Sequence, residues 1–203
     1  MLKIGIVGLA QVGKTTLFRT LTHAHGTGLG TGRPEPHVGV VHVPEPRLDR
    51  LAEIFHPERK VYASVEYIDT PGSVIDLART GAQTATLREL DALAHVVRVF
   101  ENEAVPHPSG SVDPRRDIEN VELELVLSDL ASVEKRLDRL DKDLKKQKNP
   151  TLEKEHHVLQ FSKQALEKQT PLRELMLPPE DERLVRGFTF LSSKPMLYVP
   201  NLG

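Results

Sequence analysis

Short apolar runs alternate with amphipathic stretches through the first 116 residues, and one more apolar run lies near residue 200. Five runs rich in apolar and β-branched residues are predicted to be strands: residues 2–7, 38–43, 61–68, 95–100 and 195–199. Between them, apolar residues at helical spacing predict helices at residues 14–22 and 48–55. Strands that alternate with helices favour an α/β fold, with a mostly parallel sheet and helices on both of its faces.

A different pattern begins near residue 117, where glycine almost disappears and Leu, Glu, Lys, Asp and Arg dominate. Seven apolar residues there are spaced alternately three and four apart: Leu123, Val126, Leu130, Val133, Leu137, Leu140 and Leu144. This spacing is the seam of a heptad repeat. Asn149-Pro150 interrupts it, because proline cannot continue a helix interior, and a second helical run follows with leucines seven apart. The pattern predicts an antiparallel coiled-coil hairpin that packs on itself; a homodimeric coiled coil is the alternative.

The two patterns divide the chain into three parts. We predict a first α/β part at residues 1–116, an inserted helical coiled-coil domain at 117–186, and a return to the α/β part at 187–203. A length of 203 residues is enough for one sizeable domain with an insertion.

Composition narrows the possible functions. Lys and Arg number 27 and Asp and Glu number 29, so a formal net charge of −2 argues against a protein that coats DNA through bulk charge. The chain has no cysteine, which excludes a disulfide scaffold, a thiolate metal site and a cysteine nucleophile. No apolar run approaches the ~20 residues that cross a bilayer. We therefore expect neither DNA nor a membrane as a partner.

The loop after the first predicted strand carries the strongest chemical signal. Gly8-Leu9-Ala10-Gln11-Val12-Gly13-Lys14-Thr15 matches G-x-x-x-x-G-K-[ST], the phosphate-binding loop, between a strand and a helix as that motif requires. Its glycines let successive amides face phosphate oxygens, and the following helix adds its positive dipole end. Lys14 can reach the β- and γ-phosphates, and the Thr15 hydroxyl can ligate Mg²⁺. A plain glycine turn is the alternative.

A second motif follows the third predicted strand. In Asp69-Thr70-Pro71-Gly72 an acidic residue ends the strand, in the manner of D-x-x-G. Asp69 at that position can hold Mg²⁺ through water, opposite Thr15. The Gly72 amide can meet a γ-phosphate and move away when it leaves. Alone this segment would be an ordinary turn, but after a phosphate loop we interpret it as functional.

Several stretches together resemble the Obg-like P-loop NTPases, in particular the YchF (Obg-like ATPase) subfamily. They are residues 8–18, 43–49, 88–92, 95–100, 110–119, 128–137 and 194–199. Gly110-Ser111-Val112-Asp113-Pro114-Arg115-Arg116-Asp117-Ile118-Glu119 is the most distinctive of them. The resemblance implies a Ras-like nucleotide domain with an inserted coiled coil, nucleotide contacts along the loop through Thr16, cytoplasmic NTP hydrolysis and association with ribosomes.

The sequence departs from this family in the loop and in the segment that reads the base. Ala10 and Gln11 stand where members usually carry Pro and Asn; that Asn helps related enzymes bind a monovalent cation, so the departure weakens the case for such dependence. Asn201 matches the first position of the family's base-reading N-x-x-E segment, and the acidic residue does not follow. We therefore expect ATP, or a relaxed choice between ATP and GTP, as the nucleotide, and a chain that is a fragment or a truncated relative.

The switch segments depart as well. Arg33-Pro34-Glu35-Pro36 stands where members often have Thr-Ile-Glu-Pro, so the switch threonine is missing, with Thr27 or Thr31 as substitutes. Ser73 stands where many GTPases have a water-orienting Gln and where this family has an apolar residue. Because serine is a poor substitute for that Gln, we expect intrinsic hydrolysis to be slow.

The motifs thus predict Mg²⁺-dependent binding and slow hydrolysis of ATP or GTP, with Lys14, Thr15, Asp69 and Gly72 as the catalytic groups. The resemblance implies that the chain acts as a switch linked to the ribosome. A non-hydrolysing, nucleotide-gated binding module or adaptor is the alternative. Five lysines near the predicted hairpin tip are candidates for contact with ribosomal RNA, or form an ordinary solvated helix end: Lys142, Lys145, Lys146, Lys148 and Lys154. Arg115-Arg116 is interpreted as an anchor for Asp117 or Glu119 rather than as an arginine finger.

Overall fold

The computed structural model describes residues 1–23, 37–69 and 81–203, with the backbone alone at 81–83. Within these ranges the strands are β1 (Leu2–Val7), β2 (His37–His42), β3 (Ser64–Asp69), β4 (Ala92–Arg98) and β5 (Met196–Asn201). The helices are α1 (Lys14–Thr22), α2 (Pro46–Phe55), α3 (Gly81–Arg88), α4 (Pro114–Lys146), α5 (Pro150–Glu167) and α6 (Pro179–Val185). Short 3₁₀ turns lie at Leu172–Glu174 and Arg186–Phe188.

The five strands form one sheet in the order β2-β3-β1-β4-β5. β2 runs antiparallel to β3, and the other neighbouring strands are parallel. In the register, Ile6 of β1 lies opposite Asp69 of β3 and Ala94 of β4. Because β1, β3, β4 and β5 are parallel, their carboxyl ends meet at one edge of the sheet. The predicted α/β fold with a mostly parallel sheet is confirmed.

The main apolar core lies around the two central strands. β1 and β4 are the most deeply buried of the described strands, because their side chains pack against α1, α3 and the first turns of α4. Buried members of this core include Ile6, Phe18, Leu87, Leu93, Val121 and Leu125. Val121 and Leu125 show that the long helix α4 belongs to this core before it leaves the sheet.

Two predicted strands have shifted boundaries. β3 starts at Ser64 rather than near residue 61, and β4 occupies Ala92–Arg98 rather than 95–100. Small alanines in β4 fit the tightly packed centre, whereas Phe100 lies in the loop beyond the strand. β5 runs on through Pro200, which is tolerated because among the described strands β5 pairs with β4 alone.

The helical hairpin forms as predicted. Both long helices start with the same signal, a capping side chain followed by proline: Asp113 accepts the Arg116 N–H at 3.1 Å, and Asn149 accepts the Thr151 N–H at 2.9 Å. Two contacts join the helices: Lys163 of α5 lies 2.9 Å from Glu134 of α4, and His156 of α5 lies 2.9 Å from Asp141 of α4. The later residue of α5 meets the earlier residue of α4, so the two helices are antiparallel.

The seam residues of the hairpin point into it. Val126, Val133, Leu137 and Leu140 are buried, and they share a second apolar core with Val158, Leu159 and Leu166 of α5. This burial supports the self-packed hairpin over a dimer seam. The division of the chain after residues 116 and 186 stays a prediction.

A buried carboxylate ties the base of the hairpin to the chain that returns to the sheet. Asp129 of α4 is fully buried and accepts the backbone N–H groups of Leu191 at 2.9 Å and Ser192 at 2.7 Å, and also the Ser192 hydroxyl at 2.7 Å. Arg88 at the end of α3 lies 3.6 Å from the same carboxylate. One carboxylate therefore links elements far apart in sequence.

Arg115 and Arg116 are anchors, as predicted. Arg115 pairs with Glu119 at 2.9 Å, and Arg116 pairs with Asp117 at 2.9 Å and donates to the Ser111 carbonyl at 2.6 Å. In the described ranges, none of the helices has the length and apolar character needed to cross a membrane.

Candidate nucleotide-binding site

The loop between β1 and α1 has the backbone shape that phosphate binding requires. Gly8, Gln11 and Gly13 have φ values of 146°, 60° and 99°. A Cβ atom at Gly8 would lie 2.5 Å from the Val96 carbonyl oxygen, and one at Gly13 would lie 2.4 Å from Nδ2 of Asn201. Glycine is therefore required at Gly8 for space as well as for conformation, and at Gly13 for its left-handed backbone conformation.

The N-terminus of α1 is open toward this loop. Gly13 is its N-cap and no side chain caps the helix, so the amides of the first turn keep their capacity to bind an anion. The Lys14 side chain is buried, and its Nζ donates to the carbonyl oxygens of Leu9 at 2.6 Å and Gly8 at 3.3 Å. Burial lowers the pKa of Lys14 from 10.5 to about 8, and the Asp69 carboxylate partly opposes this shift.

Thr15 and Asp69 meet at the sheet edge although 54 residues separate them. The Thr15 hydroxyl donates to Oδ2 of Asp69 at 2.7 Å. Asp69 is 2 % exposed, and its other oxygen, Oδ1, is buried without a partner in the described parts of the chain. A hydroxyl beside a carboxylate with a free oxygen fits Mg²⁺, which prefers oxygen ligands.

Next to the loop lies a cavity of about 890 Å³. Its lining comes from the loop and α1, from the segment after β4 and from the end of the chain: Ala10, Gln11, Gly13, Lys14, Thr15, Thr16, Phe100, Glu101, Asn102, Val105, Asn201, Leu202 and Gly203. Asn201 donates from Nδ2 to the Val12 carbonyl at 2.9 Å, which fastens the end of β5 to the phosphate loop. Residues of the predicted phosphate loop and the predicted site residue Asn201 thus line the same cavity.

The predicted site residues fall into three groups. The phosphate loop, Thr16, Asp69 and Asn201 are brought together. Leu9 and Val12 are buried under the loop and line no part of the cavity with their side chains. Gly72, Ser73 and the switch candidates Thr27, Thr31 and 33–36 lie outside the described residues.

Sequence reasoning missed the segment between β4 and α4, residues 99–113, which we call the cavity loop. Phe100, Asn102 and Val105 from it line the cavity. His107 holds its other end, with Nε2 2.9 Å from Asp117 and Nδ1 accepting the Ser109 N–H at 3.1 Å. The sequence offered one indication of this segment, namely Arg98 and Phe100 at the end of the apolar run 95–100.

His95 of β4 lies beneath the phosphate loop. It is 1 % exposed, and burial lowers its pKa to about 4, against an ordinary value of 6.5. The ring is therefore neutral at pH 7 and adds no charge to the phosphate site. The ring lies beside that of Tyr198, with centroids 5.8 Å apart.

Comparison with known proteins identifies the family. The family model described as "50S ribosome-binding GTPase" matches residues 3–163, which include the phosphate loop, Asp69 and most of the hairpin. The chain belongs to the 50S ribosome-binding GTPase family. This membership agrees with a loop, a carboxylate and a cavity that meet at the carboxyl edge of the sheet.

Individual relatives of this family agree with the resemblance noted from the sequence. The ribosome-binding ATPase YchF of Bacillus subtilis is 39 % identical over 208 residues, covering 99 % of this chain and 56 % of that protein. The protein of the same name from Escherichia coli O157:H7 is 40 % identical over 206 residues, covering 98 % and 56 %. Obg-like ATPase 1 of Oryza sativa is 34 % identical over 207 residues, covering 99 % and 52 %. The chain spans about half the length of the curated relatives it matches.

A solved structure shows the same architecture. The YchF GTPase of Schizosaccharomyces pombe superposes with a TM-score of 0.78 and 29 % identity, covering 100 % of this chain and 57 % of that one. The P-loop NTPase fold with an inserted helical hairpin, and the similarity to YchF and the Obg-like ATPases, are confirmed.

Proposed function

We propose that this chain binds a purine nucleoside triphosphate with Mg²⁺, hydrolyses it slowly and acts as a nucleotide-controlled switch at the ribosome. The observation that carries the proposal is the convergence of Lys14, Thr15 and Asn201 on one cavity, with Asp69 bonded to Thr15 behind it. Family membership and the names of the relatives support it.

In this proposal the phosphate end of the nucleotide lies on the loop. Amides of residues 8–16 and the positive end of α1 surround the β- and γ-phosphates. Lys14 exchanges the Leu9 and Gly8 carbonyls for phosphate oxygens and offsets the charge that develops on the transferred phosphoryl group. Thr15 and Asp69 would hold Mg²⁺, which when bound neutralises phosphate charge. Catalysis is then mainly positioning and electrostatics.

The base lies at the other end of the cavity. Phe100, Val105 and Leu202 offer apolar surface there, and Asn201 offers a polar edge. Glu101 is the one carboxylate among the described residues that line the cavity, and it lies on the cavity loop. The names of the relatives, which are called ATPases, support ATP, or both ATP and GTP, as the nucleotide.

Titration calorimetry with ATP and GTP tests this function. We expect micromolar or tighter binding in Mg²⁺, and weaker binding when EDTA removes the metal. Single-turnover release of inorganic phosphate then separates a hydrolase from a nucleotide-gated binding module. Folded protein that ignores both nucleotides in the presence of Mg²⁺ refutes the proposal.

Asp69→Asn tests the metal site directly. The amide still accepts from Thr15 through its oxygen but lacks the charge that favours Mg²⁺, so the ratio between affinities with Mg²⁺ and with EDTA should fall about tenfold or more. Asp91→Asn is the matched control, because Asp91 precedes β4 at the opposite edge of the sheet. An Asp69→Asn variant that keeps the full wild-type ratio would contradict the assignment.

The depressed pKa of Lys14 predicts a pH dependence of binding. The ammonium is lost as the pH rises through about 8 in the free protein, and phosphate charge raises the pKa again in the complex. Nucleotide affinity should therefore be level below pH 7 and fall by up to about tenfold per pH unit above pH 8. Calorimetry in buffers of different ionisation enthalpy should show proton uptake on binding at pH 9. Lys14→Arg should remove the fall in affinity above pH 8, because arginine stays protonated in this range. A wild-type affinity that does not change with pH would contradict the prediction.

The ribosomal partner is proposed to meet the hairpin tip, which also implies a cytoplasmic protein. Lys142, Lys145, Lys146 and Lys148 are exposed around the turn, whereas Lys154 pairs with Glu180 at 3.0 Å and faces α6. Co-sedimentation with ribosomes should weaken steeply with salt and on replacing the four tip lysines by alanine. If the protein co-sediments equally with ribosomes in the presence of an ATP analogue and of ADP, the proposed nucleotide-controlled switch is refuted.

A further inference from the structure

The largest fully buried side chain of the described residues is a charged one, Arg98, at the last position of β4. It is 1 % exposed, and no carboxylate pairs with it in the parts of the chain that the structure describes. Its Nη1 atom is buried without a hydrogen-bond partner among those residues. Burying a guanidinium without a counter-charge opposes folding.

The side-chain hydrogen bonds of Arg98 and its cation–π contact lie in the cavity loop. Nε donates to the Phe100 carbonyl at 2.9 Å and Nη2 to the Asn102 carbonyl at 3.5 Å. The guanidinium carbon also lies 4.6 Å from the centre of the Phe100 ring, a cation–π contact. One side chain thus holds the backbone at two points and one aromatic ring of the cavity wall.

The strand register places Arg98 beside the end of β5. Arg98 lies opposite Asn201, and the Val99 N–H donates to the Asn201 carbonyl at 2.9 Å. A Cβ atom at Gly203 would lie 3.3 Å from the Cβ of Phe100, so the last residues of the chain pack on the same ring. Arg98 therefore lies behind the cavity wall, where it holds the lining residues Phe100 and Asn102 beside the end of β5.

We propose that Arg98 is a positioning residue for the nucleoside end of the ligand: it orients Phe100 and Asn102 so that the base can seat between the cavity loop and residues 201–203. This rests on the proposed nucleotide binding. We assign Arg98 no direct contact with the phosphates, because its side-chain hydrogen bonds and its cation–π contact go to the cavity loop and not to residues 8–16.

The test separates the two ends of the ligand. Dissociation constants for Mg-ATP, Mg-GTP and inorganic tripolyphosphate with Mg²⁺ are measured on the full chain and on Arg98→Met, which keeps the length and apolar stem of the side chain. We expect the nucleotides to bind about tenfold or more weakly, and tripolyphosphate to bind within about twofold of wild type. Arg173→Met is the control, since Arg173 also donates to a carbonyl, that of Ser192, but lies outside the cavity. It should leave all three constants unchanged.

Arg98→Lys is the second variant. It keeps the charge and can reach one carbonyl, so it should bind nucleotides with intermediate affinity. Equal weakening of nucleotides and tripolyphosphate, unchanged nucleotide affinity in Arg98→Met, or failure of both variants to fold would each overturn the proposal. Wild-type protein that binds no nucleotide refutes the proposed function itself, whereas wild-type binding without an effect of Arg98 refutes this inference alone.

Discussion

Lys14→Ala should weaken the binding of ATP and GTP by about 100-fold or more while the protein stays folded. A charged hydrogen bond to phosphate in a site sheltered from water contributes roughly 1.5–3 kcal/mol, and Lys14 can make more than one. The buried ammonium in the free protein is held by two carbonyl groups and has a lowered pKa, so its removal should cost little stability. Calorimetry with Mg-ATP and Mg-GTP measures the affinity, and thermal unfolding measures the stability.

Two comparisons make the Lys14 result specific. Lys142→Ala removes an exposed lysine of the hairpin and should leave nucleotide affinity unchanged. Inorganic tripolyphosphate should lose affinity for Lys14→Ala in the same proportion as ATP, because the lysine acts on the phosphates alone. A Lys14→Ala protein that binds ATP within about threefold of wild type would show that the loop does not hold the phosphates in the proposed way.

Asp129→Ala should lower the free energy of unfolding by about 3–5 kcal/mol, the range for breaking a buried charged network. The substitution leaves the amides of Leu191 and Ser192 buried without their acceptor and removes the carboxylate beside Arg88. Both effects act where the hairpin joins the sheet. We therefore expect the contact between the core around the sheet and the core of the hairpin to weaken. Urea unfolding followed by circular dichroism provides the measurement.

The matched substitution on the same helix is Asp138→Ala. Asp138 is exposed, so its loss should change the free energy of unfolding by no more than about 0.5 kcal/mol. Asp129→Asn should fall between the two, because the amide keeps one acceptor oxygen but not two. Unfolding of Asp129→Ala within about 1 kcal/mol of wild type would mean that the Leu191 and Ser192 amides find other partners.

Local patterns predicted much of the site. The phosphate loop could be predicted because a left-handed backbone at Gly8 and Gly13 needs glycine, and because a lysine and a threonine must follow at the start of a helix. The hairpin could be predicted because heptad spacing and the break at Asn149-Pro150 depend only on residues close together in the sequence. The burial of Arg98 could not be predicted in this way, since an arginine near the end of an apolar run is typical of the exposed end of a strand.

The sequence by itself determined the elements, the anion-binding loop and the helical hairpin, because periodicity, proline and glycine act over a few residues. The tertiary structure alone decided that the Thr15 hydroxyl meets Asp69, that Asn201 reaches the Val12 carbonyl across 189 residues, and that Phe100 walls the cavity. These contacts depend on the strand order β3-β1-β4-β5. Strand order results from how the strands pair and the helices pack over the whole chain, and no single segment encodes it.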